Sequence, residues 1–144
     1  MEQASFRNGR STVTFGGFER GASGDPYSAV HFALDLLSDG VRAITQVVML
    51  EFTWPEMAGF FQDLADSVRG FEGERTWHSI EGHLTMSAHV DPVGHCALSF
   101  TVRNGHWSSW EVQLEGITVD AGEEMATVAR AVLAWIESST PAAW

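Results

Sequence analysis

The sequence predicts an α+β domain: a single antiparallel, strongly bent six- to seven-stranded sheet with two helices packed on one face, in the order βββ-α-ββββ-α. Three observations carry that expectation. Two segments place apolar residues at helical spacing, several others alternate apolar and polar residues strictly, and a turn at Asp91-Pro92-Val93-Gly94 joins two alternating runs in one register. Helices with one apolar stripe and sheets with one apolar face bury those surfaces against each other.

Residues 1–10 and 138–144 read as tails around a single domain, 11–137. Gly16 to Pro26 is rich in turn formers and reads as a flexible connection. Tyr27 to Leu37 sets Val30, Phe32, Leu34 and Leu36 on one face, the pattern of a strand. Ser38-Asp39-Gly40 then gives a hairpin turn. Val41 to Phe52 returns as a strand that is apolar on both faces in its latter half, which predicts a central or doubly covered position.

Thr53 opens the first helix, with Glu56 completing a capping box; Met57, Phe60, Phe61, Leu64 and Val68 form its stripe and Gly70 ends it. Asp120 and Glu123 repeat that cap near the C-terminus, followed by Met125, Val128, Ala129, Val132, Leu133 and Ile136. Strands are expected between the helices at about 76–80, 82–90, 95–103 and 107–119. Leu84, Met86, Ala88 and Val90 face inward, as do Cys96, Leu98, Phe100 and Val102, which sets Val90 opposite Cys96. In the last strand Val112 and Leu114 differ in parity from Ile117 and Val119, so a bulge is expected at Gly116. Another near Ser108-Ser109 keeps Glu111 out of the core and turns Trp107 and Trp110 inward.

A chain of 144 residues is the size of one domain and needs no disulfide; Cys96 is its one cysteine. Apolar runs fall short of the roughly 20 residues a membrane span requires. Met1 to Arg7 lacks the charged-then-apolar design of a secretory signal, so the expectation is a cytoplasmic protein. The net charge of −11 comes from 19 acids against eight bases, all arginine. That balance argues against nucleic acid as a partner and favours a basic protein.

Several segments resemble a signature in an uncharacterised family of small actinobacterial proteins. They are Phe60-Phe61-Gln62-Asp63-Leu64-Ala65-Asp66, Arg69 through Trp77 with Glu81-Gly82, Gly94-His95, and Ala121-Gly122-Glu123-Glu124. The similarity runs from about Thr53 onward. It implies the same α+β domain and brings no activity, cofactor or site residue with it.

No complete catalytic signature is present, and no cofactor is implied. The leading reading is a non-catalytic, acidic protein-binding domain, immunity- or antitoxin-like, that neutralises a basic effector. Asp63, Asp66, Glu72 and Glu74 beside Trp77 form its expected patch, carboxylates setting rate and orientation and the aromatic supplying affinity. Arg75 is expected to pair with a neighbouring acid. The alternative is a small-molecule binder or compact cavity enzyme, cyclase- or isomerase-like, using the polar row His83, Thr85, Ser87, Ser99, Thr101 and Arg103. His89, Asp91 and His95 flank one hairpin and are the residues a metal would use; His83 lies roughly 20 Å away along the strand. Cys96 follows His95, but adjacent strand residues face opposite ways, which denies the thiol a base. Trp144 and an open sheet edge permit a dimer.

Overall fold

The chain repeats one pattern twice, four strands and then a helix. The computed structural model describes residues 3–20, 29–50, 53, 55–104 and 110–139. Strands β1 (Gln3–Asn8), β2 (Ser11–Arg20), β3 (Ala29–Ser38) and β4 (Val41–Leu50) lead into α1 (Glu56–Asp66). Strands β5 (Arg75–His78), β6 (Leu84–Val90), β7 (His95–Arg103) and β8 (Glu111–Asp120) lead into α2 (Glu123–Ser139).

Each set of four strands forms its own antiparallel sheet, in the orders β1-β2-β3-β4 and β5-β6-β7-β8. The single bent sheet expected from the sequence is thus corrected to two. Tight turns set β2 beside β1 and β4 beside β3, with Asn8 opposite Ser11 and Ser38 opposite Val41. α1 then carries the chain away from β4, and β5 starts a new sheet. Alternation tells which face a residue takes; it does not tell which strand lies alongside. The extra strand of the first sheet is β1, from residues expected to form a tail. Ala4 is buried and Phe6 half-buried, too few apolar positions to reveal the alternation.

Strand β4, expected to be central or covered on its second side, is an edge strand whose second side is partly covered. Val47 and Met49 point into the core while Val48 and Leu50 are half-buried. The second sheet comes close along this strand, where the Thr45 hydroxyl donates to the Arg103 carbonyl at 2.8 Å. β2 runs to Arg20 through a register shift at Gly16–Glu19, replacing the first part of the expected connection. Residues 21–26 of that connection lie outside the described residues, as do Trp107, the Ser108–Ser109 bulge and Trp144.

The helices pack against each other, and α2 also rests on β1 and β8. One apolar cluster joins both helices and both sheets. The Phe61 ring of α1 meets Phe6 and Phe15, and the Trp135 ring of α2 meets Phe15 and Phe32. Two expected stripe residues are exposed. Val68 (50%) lies beyond the end of α1, and Leu133 (43%) sits on the outer flank of α2 while Trp135 (0%) occupies the core.

Neither expected capping box forms. α1 begins after Pro55 with no side-chain cap; the Thr53 hydroxyl turns back to the Leu50 carbonyl (3.4 Å), and the Thr53 carbonyl accepts the Glu56 N–H (3.0 Å). Asp120 completes β8, and the first turn of α2 closes on the Gly122 carbonyl, which accepts the Ala126 N–H at 2.7 Å.

The second sheet follows its expected register. Val90 stands opposite Cys96, and the four inward residues of each strand are buried. The phase change at Gly116 is present too. Leu98 faces Ile117 and Phe100 faces Leu114, so Ser99 stands against two residues, Glu115 and Gly116. Gly116 takes φ +82°, a conformation glycine adopts without steric cost.

Candidate functional site

The outer face of β5–β8 is a set of polar rows. Thr76, Ser87 and Ser99 align across one row, and His78, Thr85, Thr101 and Gln113 across the next. Beside the bulge the face sinks into an open groove of about 280 Å³. Glu74 and Glu115 belong to its lining, together with Ser87, Ser99 and His89; Ala97 and Gly116 leave room where larger side chains would fill it.

A chain of contacts fixes the loop that carries Glu74. The Arg75 guanidinium lies 3.9 Å over the Phe71 ring, and the edge of His89 meets that ring at 5.9 Å. Arg75 also reaches across to α1, pairing with Asp63 and donating to the Ser67 hydroxyl at 3.0 Å. His89 Nδ1 contacts the Gly73 carbonyl at 2.6 Å. A carbonyl only accepts, so Nδ1 carries the proton, and Nε2 of the neutral ring is left as an acceptor.

Residues expected under three separate readings thus meet in one groove: Glu74 from the acidic patch, Ser87 and Ser99 from the polar row, and His89 from the metal set. Ala97, Glu115 and Gly116 also line it, with Ala88 and Leu98, and were not anticipated as site residues. The phase change at Gly116 was their signal, since a bulge beside a small residue leaves a depression.

The acids around α1 do not stand free as a patch. Asp63 is paired with Arg75, as the sequence led one to expect of that arginine, and Asp66 accepts from Gln62 at 3.0 Å. Glu72 is exposed, and Trp77 is half-buried against the core, on the opposite face of β5 from the groove. His83 leaves the polar row. It lies in the turn before β6, 7% exposed, with Glu81 3.8 Å away, because the strand alternation starts only at Leu84. Arg103 pairs with Glu111 at 2.9 Å.

His89, Asp91 and His95 do not converge. His89 turns to Gly73, while His95 lies 3.5 Å from Asp91 and 3.7 Å from Asp120. One Asp91 oxygen accepts the His95 and Val93 N–H groups (2.9 and 3.0 Å), and the His95 amide is the main cause that holds this carboxyl below its usual range. Among the described residues, no three His, Cys, Asp or Glu side chains are arranged to hold a metal. Cys96 is buried, and burial pushes its thiol up to about 11. Native protein is therefore expected to resist iodoacetamide at neutral pH and to react once unfolded in urea; mass spectrometry showing rapid native labelling would contradict the buried site.

Four of the segments that carried the family resemblance, all but Glu81-Gly82, meet at one backbone junction. Phe71 N–H donates to Val90 O (3.1 Å), Ala121 N–H to Gly94 O (2.8 Å) and Gly122 N–H to Ala65 O (2.9 Å). Their spacing is accounted for by a knot that ties α1, the β6–β7 turn and α2 together.

Fold and site define a two-sheet α+β domain with an acid-lined groove. The chain belongs to a family of unknown function, DUF6228, whose model matches residues 7–139. The match extends the resemblance, seen from Thr53 onward, through nearly all of the first sheet. No curated protein and no solved structure matches the chain. Among the described residues, no helix is long and apolar enough to cross a membrane.

Proposed function

We propose that this protein is an acidic, non-catalytic binding domain that receives a basic protein on the outer face of β5–β8. An immunity- or antitoxin-like role, occluding a cationic effector, fits that surface. The supporting observation is the uneven distribution of charge. Of the 19 acids and eight arginines, five and four lie in residues 1–50, which leaves fourteen and four for residues 51–144. Four of those acids, Glu74, Glu111, Glu115 and Asp120, lie on the second sheet's outer face or its rim, where Arg103 pairs with Glu111. A like-signed face steers a partner of opposite sign and speeds encounter.

Amide chemical shifts of the protein titrated with an oligo-arginine peptide test the reading. The expected result is a set of perturbations concentrated on β5–β8. They should weaken sharply as ionic strength rises from about 0.01 M to about 0.15 M, where the screening length falls from about 30 Å to about 8 Å. Perturbations centred on the first sheet, or binding indifferent to salt, would refute it.

A further inference from the structure

We infer that the groove between Glu74 and Glu115 is a seat for one arginine side chain of the partner, an assignment that rests on the binding face proposed above. Size sets the first limit. Pockets for whole small molecules run from about 300 to 1,000 Å³. A groove of about 280 Å³, open to solvent, falls just below them and suits one extended side chain.

The chemistry of the lining sets the sign. Glu74 and Glu115 supply carboxylates, Ser87 and Ser99 supply hydroxyls that can accept, and the Gly73 carbonyl leaves His89 Nε2 as an acceptor. Among the described residues, no arginine lines the groove. An anionic ligand would meet two like charges, whereas a donor-rich cation meets acceptors on the polar part of the lining. Gln113 already donates to Glu115 at 2.9 Å, which steadies that carboxylate without neutralising it.

The arrangement of the acceptors separates guanidinium from other cations. A metal ion needs its ligands drawn to one point, and among the described residues no three acidic, imidazole or thiol groups are so drawn. An ammonium is likewise a compact point charge with three donors. A guanidinium is a flat fork of five donors, able to bond carboxylates on different walls at once. Ala97 offers a short apolar surface for its aliphatic stem.

The test compares oligo-arginine and oligo-lysine peptides of equal length and charge, with amide shifts and calorimetry as readouts. The variants are Glu115→Gln, Ala97→Phe and a remote control, Glu123→Gln on α2, each first checked for an unchanged melting temperature. Shifts are expected at Ser87, Ser99 and Gly116. The arginine peptide should bind about fivefold more tightly than the lysine peptide, the net worth of one ordinary hydrogen bond. Glu115→Gln should cost a similar factor, Ala97→Phe should block the seat with no charge altered, and Glu123→Gln should change little. Equal affinity for the two peptides, unchanged binding by Ala97→Phe, or equal losses from Glu115→Gln and Glu123→Gln would overturn the seat. Any of these, with shifts still confined to β5–β8, would leave the broader binding face standing. Absence of shifts on those strands would remove both.

Discussion

Gly70→Ala is expected to destabilise the fold by about 3 kcal/mol or more, a large share of the 5–15 kcal/mol that typically holds a domain together. Gly70 adopts φ +79°, where a Cβ is strained on its own account. The space is also taken. A Cβ there would stand 2.4 Å from the Asp91 carbonyl oxygen, 2.6 Å from its carbon and 2.7 Å from the Val90 oxygen. These are backbone atoms of the β6–β7 hairpin, and Val90 O is already the acceptor for Phe71. They cannot swing aside as a side-chain tip does. The nearby Gly73 supplies the comparison, since it has a similar φ of +73° and nothing within 4 Å of an added Cβ. Gly73→Ala should therefore cost only the backbone strain, about 1 kcal/mol. Chemical denaturation of both variants measures the difference; equal losses would show that the close approach to Asp91 does not matter.

Trp135→Ala is expected to cost about 3–5 kcal/mol, the range for deleting a large buried aromatic. Trp135 is fully buried, 5.9 Å from Phe15 and 5.3 Å from Phe32 between ring centroids, the latter pair edge-on at 82°. Removing it leaves a void between α2 and the first sheet, and close-packed neighbours relax into such a space only in part. Trp135→Phe keeps an aromatic at the centre and should lose much less. Denaturant midpoints for the two variants decide the matter, and a cost below about 1 kcal/mol for the alanine variant would mean the helix is not anchored there.

What could be read in the sequence was what local alternation encodes. Val90 against Cys96 and the bulge at Gly116 were legible because strand parity links a residue directly to a face. Trp135 was missed because Val132, Leu133 and Ile136 already supplied a helical stripe, and only packing decides which flank is buried. The division into two sheets was not legible, since pairing depends on contacts distant in sequence. Within the groove, Glu74, Ser87, Ser99 and His89 were each recognisable as outward and polar. Their meeting was not, because it requires the β7–β8 bulge and the loop that Arg75 and Phe71 pin in place.

The seating of α2 on β1 has a consequence for synthesis. Ribosomes deliver β1 long before the 17-residue α2 that packs on it. Phe6 gains the Phe61 ring once α1 is made, but the rest of the cover on β1 waits for α2, so a nascent product that stops short of α2 exposes a sticky edge that the folded domain conceals.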